Sequence, residues 1–147
     1  EVYENGRRLS LEELMRILRR YGIEKVIDVR RWPTSKKNPQ FKGEVLRSAL
    51  EAHGMKYVWL GELLGGYRRP NYVEYMKTED FKRGIDKLEA EALEARSAIL
   101  CAEKLWFRCH RRFLGDVLAD RGWEVVHIIE EGKEYVKKKR GKEGKLL

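Results

Sequence analysis

The stretch from Cys101 to Arg112 reads Cys-Ala-Glu-Lys-Leu-Trp-Phe-Arg-Cys-His-Arg-Arg, a run of two thiols, a carboxylate, an imidazole and three arginines. Ser97 to Leu100 before it reads as a short apolar strand. Phe113, Leu114, Val117 and Leu118 after it recur at helical spacing up to the stop signal Arg121-Gly122. Cys109 and His110 therefore fall near a helix N-terminus, where unpaired N–H groups and the helix dipole favour an anion. A thiol there is driven towards thiolate, and Arg108, Arg111 and Arg112 push the same way. Cys109 is the candidate nucleophile or redox thiol, set against the plain alternative of a partly buried, inert cysteine. Cys101, at the end of an apolar strand, is a small core residue or a resolving thiol, and a Cys101–Cys109 bridge stays open. His110 and Glu103 are the candidate proton carriers. The arginines of Cys109-His-Arg-Arg-Phe-Leu-Gly115 come too early for a tyrosine-phosphatase loop. A zinc site from Cys101, Cys109, His110 and Glu103 has suitable ligand types, but there is no C-x-x-C pair and adjacent Cys109 and His110 point in different directions. No cofactor is expected, with zinc the minor alternative.

These residues need elements to hold them. Ser10 with Glu13 forms a capping box ahead of the apolar stripe Leu11, Leu14, Met15 and Leu18, which ends near Tyr21-Gly22. Lys25 to Arg30 reads as a buried strand. Asp28 and Arg30 fall at its C-terminal end on one face, with Val29 opposite. They read either as a mutual ion pair or as a phosphate clamp (Arg30) beside a general base or orienting carboxylate (Asp28). Val45, Leu46, Ala49 and Leu50 mark a second helix stopped by Gly54, beside which His53 reads as a C-terminal cap. Lys56 to Leu60 is a strand, and Gly61 to Asn71 an irregular loop carrying Glu62, Gly65, Gly66 and Arg68. Thr78 caps a third helix with Phe81, Ile85, Leu88 and Ala92 inward. Trp123 to Ile129 is a last strand that turns into a hairpin with Glu134 to Val136, and His127 within it reads as a core residue.

Strands alternating with helices predict a three-layer, Rossmann-like α/β domain with a mostly parallel sheet and helices on both faces. In such sheets ligands gather beyond the carboxyl ends of the strands. Asp28 and Arg30, the loop with Glu62, Gly65, Gly66 and Arg68, and the segment after Cys101 with Trp106 and Arg111 are all expected on that rim. Aromatics such as Trp32, Tyr72 and Trp106, interleaved with arginines, suit a base-bearing ligand.

Composition bounds the rest. The domain is expected to run from 1 to 132, followed from 133 to 147 by a basic hairpin strand and tail. That tail holds seven basic residues against Glu134 and Glu143, a net +5 of the chain's +8. A Lys-rich run of this kind is a solvated tail or a nonspecific nucleic-acid arm. No apolar run approaches the roughly 20 residues a membrane span needs, and no signal peptide is recognised, so a cytoplasmic location is expected. Two cysteines are too few for a secreted disulfide scaffold. Abundant charge with Gln40 as sole glutamine fits a hyperthermophile. Nothing in the sequence defines an oligomeric state.

The motifs Ser10-Leu-Glu-Glu13, Leu18 to Gly22, Asp28-Val-Arg30, Asn38-Pro-Gln-Phe41, Tyr57 to Leu60, Glu62-Leu-Leu-Gly-Gly66, Tyr75-Met76 with Phe81, Cys101-Ala-Glu103, Cys109-His-Arg111 and Val126-His-Ile128 occur in that order. In order and spacing the chain from about Leu9 to Ile129 resembles the domain of unknown function (DUF) 488 family. The resemblance implies an α/β fold and a cysteine-bearing motif suggestive of an enzyme, without a family-wide reaction. Family members commonly open with a strand running into a Gly-His-Ser segment, whereas here Val2-Tyr-Glu-Asn-Gly6 precedes Arg7 and Arg8. Two functions are carried forward. One is a small thiol-dependent enzyme acting on a nucleotide or nucleic-acid substrate, with Arg30 and Arg111 on the anion. The other is a noncatalytic nucleic-acid-binding protein.

Overall fold

In a computed structural model of the chain, residues 10–31, 43–66, 68–100 and 111–130 are described, with short strands at 3–4, 7–8, 133–137 and 145–146. The strands β1 (Tyr3–Glu4) and β2 (Arg7–Arg8) pair antiparallel as a separate two-stranded sheet. Ser10 opens α1 (Leu11–Arg20). Its hydroxyl accepts from the Glu13 N–H at 3.1 Å, and the Glu13 carboxylate accepts from the Ser10 N–H. This is the capping box expected from the sequence, and it satisfies donors that a helix start otherwise leaves unpaired. Leu14, Met15, Ile17 and Leu18 are buried along the inner face. Gly22 closes the helix at φ 66°, a conformation that costs a residue with a Cβ about 1 kcal/mol.

β3 (Lys25–Asp28) is buried at every position, α2 (Gly43–Ala52) buries Leu46 and Leu50, and β4 (Lys56–Trp59) follows Gly54. Val45, grouped by spacing with the inward residues, is instead 43% exposed. His53 Nδ1 lies 2.8 Å from Ala49 O, the helix-capping contact expected for it. Two single-turn helices, α3 (Gly61–Leu64) and α4 (Tyr72–Tyr75), occupy the stretch read as irregular loop and its border. They are too short to leave a periodic signal. Thr78 caps α5 (Glu79–Glu94) by accepting from the Phe81 N–H, and Phe81, Ile85, Leu88 and Ala92 are buried as expected. β5 (Ser97–Leu100), α6 (Arg111–Asp120), β6 (Glu124–Glu130), β7 (Lys133–Lys137) and β8 (Lys145–Leu146) complete the chain.

The main sheet has the order β4-β3-β5-β8-β6-β7. All its pairings are parallel except the β6–β7 hairpin, so the fold is α/β with a mostly parallel sheet. Lys145 and Leu146, in the run read as a basic tail, form the strand between β5 and β6. Alternate residues of the strands enter two separate cores. Val26, Ala98, Leu100 and Val126 pack with α1 and α2 on one face. Ile27, Ile99 and Val125 pack with α3, α5 and α6 on the other. Among the described residues no helix is long and apolar enough to cross a membrane.

Candidate functional site at the carboxyl ends of the strands

β3 is the strand from which the chain departs in both directions. It connects through α2 to β4 on one side, and the chain then returns through α5, on the opposite face, to β5 on the other side. A reversal of this kind opens a crevice beyond the carboxyl ends of the strands, here between β3 and β5. Asp28 is in register with both Trp59 and Leu100, and the Val29 N–H donates to Leu100 O at 3.1 Å. Asp28 and Leu100 thus flank the opening. The next residue after Leu100 is Cys101.

Asp28 and Arg30 are almost inaccessible, 0% and 3% exposed. Arg30 donates through Nε to Asp28 Oδ1 at 2.9 Å and through Nη2 to Oδ2 at 2.7 Å, and its N–H also donates to Oδ1. The Tyr57 hydroxyl donates to Asp28 Oδ2 at 2.5 Å, and Trp59 Nε1 donates to Arg30 O at 2.7 Å. A buried ion pair persists when its remaining polar valences are also bonded, and this one is held from two strands. Burial works to lower the Arg30 pKa, but the hydrogen bonds and charge of Asp28 outweigh it and the value is raised. Burial, reinforced by the Asp28 carboxylate, pushes the Tyr57 phenol well above its ordinary range. At neutral pH the cluster is a neutral phenol donating to a carboxylate that is paired with a guanidinium.

The α3 backbone reaches this cluster because two residues lack side chains. A Cβ on Gly61 would stand 1.9 Å from Arg30 O, and one on Gly65 would stand 2.4 Å from Arg31 Cβ. The close approach that Gly65 permits is therefore to the chain's own Arg31. Arg31 Nη1 donates to Gly66 O, and Arg68 donates to the carbonyls of Gly61, Glu62 and Gly65 while lying 4.1 Å over the Tyr75 ring. Arg68 thus ties together carbonyls of α3 and its C-cap, Glu62 O among those that so short a helix does not bond internally. Burial lowers its pKa. The Tyr72 hydroxyl donates to Leu64 O at 2.6 Å, and its ring stacks on Phe113 in the first turn of α6, centroids 5.9 Å apart. A continuous path of contacts joins Asp28 and Arg30 through α3 to the start of α6.

Of the residues singled out from the sequence, Asp28, Arg30, Gly65, Gly66 and Arg68 lie along this path, and Glu62 joins it through its carbonyl. Arg111 is the first residue of α6. Cys101, Glu103, Trp106, Cys109 and His110 lie outside the described residues, and so do Trp32 and Phe41. Among the described residues no three His, Cys, Asp or Glu side chains group as metal ligands. Spacing alone does not single out Tyr57 and Trp59 as partners of the pair. The available signal is the period of two in β4, which puts both on one face, with Tyr57 one pleat behind the register partner of Asp28.

The fold is thus an α/β domain in which Asp28 and Arg30 lie where the order of strand addition reverses, at the carboxyl ends of parallel strands. The chain belongs to the family described as domain of unknown function DUF488, whose model matches residues 10–118. No curated protein and no solved structure matched the chain.

Proposed function

We propose that this protein is a small thiol-dependent enzyme acting on a phosphate-bearing substrate, a nucleotide or nucleic acid, with Cys109 as nucleophile or redox thiol. The observation that carries this reading is the reversal at β3. The cysteine-bearing segment departs from Leu100, beside Asp28, and leads directly into α6, whose first turn is tied through Phe113 and Tyr72 to α3. Cys109 and His110 are the two residues immediately before that helix. A thiolate and an anionic substrate are both favoured at such a terminus.

Asp28 already neutralises Arg30, which moves the anion-holding role in this reading to Arg111 and the α6 backbone. Arg30 and Asp28 then serve to fix the carboxyl end of β3 beside Leu100, and proton transfer falls to His110 or Glu103. The chemistry proposed uses the thiol without a metal. Its test is the pH-dependent rate of iodoacetamide alkylation at Cys109 relative to Cys101, followed by peptide mass spectrometry on native protein. We expect Cys109 to label faster, with an apparent pKa below the ordinary thiol value of about 8.5. Prior treatment with a chelator should leave that rate unchanged, and a nucleoside phosphate should slow it. Slow labelling of both cysteines, with metal and disulfide excluded, would replace the enzyme by a noncatalytic nucleic-acid-binding module.

A further inference from the structure

We infer that the outer edge of β4 is a homodimer interface, in which β4 pairs antiparallel with β4 of a second copy about a twofold axis between the two Val58 residues. Among the described residues β4 has β3 as its only strand neighbour. The Lys56 N–H donates to Glu24 O and the Leu60 N–H to Asp28 O, so the even-numbered residues turn their backbone groups towards β3. By alternation Tyr57 and Trp59 turn theirs outward. An antiparallel neighbour exchanges paired hydrogen bonds only with residues whose groups face it. Setting Tyr57 opposite Trp59 of the second copy engages both residues on both strands and leaves Val58 facing Val58. Registers with Tyr57 opposite Tyr57, or Trp59 opposite Trp59, make one such pair within β4 instead of two. The favoured register also places an aromatic against an aromatic twice over, a stabilising cross-strand combination.

The charges around the edge favour a second copy. A groove of about 570 Å³ runs beside Lys56, Tyr57 and Val58, and its other charged residues are Lys25, Arg47, Glu51, Glu91 and Glu94. Its three cations and three carboxylates balance, although the chain as a whole carries +8. Contact here therefore adds no net repulsion. Trp59, 42% exposed, supplies apolar surface at the same edge. The opposite edge, β7, holds Lys133 and Lys137 and is followed in sequence by Lys138, Lys139 and Arg140, a concentration of like charge that opposes edge pairing.

Sedimentation of the full chain, with Val58→Lys and Val58→Glu variants, tests the assignment. The unmodified protein is expected to be a dimer. Each variant sets like charges face to face at the axis and should raise the dissociation constant at least about tenfold. Mixing the two should restore a dimer, which a folding defect does not produce. Hydrogen exchange on the unmodified chain gives a reading free of mutation: the outward amides of Tyr57 and Trp59 should be protected at high protein concentration and released on dilution. A monomeric unmodified protein, variants that remain dimers, a mixture that stays monomeric, or outward amides exposed at every concentration would each overturn the interface.

Discussion

Tyr57 shows how much one hydroxyl organises. Its proton goes to a carboxylate that is fully buried and already engaged by Arg30, so removing it leaves an acceptor without one of its bonds. Tyr57→Phe should cost about 1–2 kcal/mol of stability near neutral pH, measured by urea denaturation. The effect carries a pH signature. The folded-state phenol is raised above the unfolded value, so its contribution is fully present below about pH 10 and fades as the pH climbs from there towards the folded value. The gap between wild type and Tyr57→Phe should therefore be wide at about pH 9 and narrower at about pH 11, because ionisation of the unfolded chain erodes the wild type alone at this position. At this scale the sequence was partly legible. Asp28 and Arg30 two residues apart announced a shared face, and the structure realises the ion-pair alternative. The phenol from the neighbouring strand was hidden because strand register depends on packing between segments 29 residues apart.

Among elements, those with their own start and stop signals were the readable ones. Ser10 with Glu13, Thr78 with its helix, and Gly22, Gly54 and Gly122 mark ends whose backbone chemistry is local. The single turns α3 and α4 escaped notice because each has only four residues. β8 escaped because two residues of a Lys-rich run carry no strand pattern of their own. Glycines divide along the same line, which gives a test. Gly54, at φ 77°, has nothing within 4 Å of an added Cβ, so Gly54→Ala should cost only the backbone penalty of about 1–2 kcal/mol. Gly61→Ala must drive a methyl into the Arg30 carbonyl and the Trp59 indole nitrogen. It should cost more, about 3 kcal/mol, through displacement of α3. Thermal midpoints of the two variants, measured side by side, decide whether α3 is held as tightly as its contacts imply.

At the scale of the whole molecule, charge is unevenly spread, with +5 of the net +8 between residues 133 and 147. If nucleic acid is the partner, as proposed, that run contributes counterion release without sequence preference. Replacing Lys137, Lys138, Lys139 and Arg140 by glutamine should lower the slope of log affinity against log salt for a single-stranded oligonucleotide by about 3. An unchanged slope would remove those four residues from the interface. Of the candidate site, the position of Asp28 and Arg30 at a strand's carboxyl end was legible from alternating elements, and the cysteine-bearing segment lies outside the described residues. One further consequence belongs to β3, on which both helix layers and the flanking strands take their positions. Lys25, 1% exposed, is clasped by Glu91 just where the strand begins, and Asp28 by Arg30 where it ends. The residues between and beside them, Val26, Ile27 and Val29, are nearly interchangeable apolar shapes, so hydrophobic pattern alone would let the strand slide by one place at little loss. The two charged clasps forbid it, because any slip carries an ion into one of the oily layers. Here the ionic groups act as a vernier: they contribute less to how firmly the molecule holds together than to there being one way for it to do so.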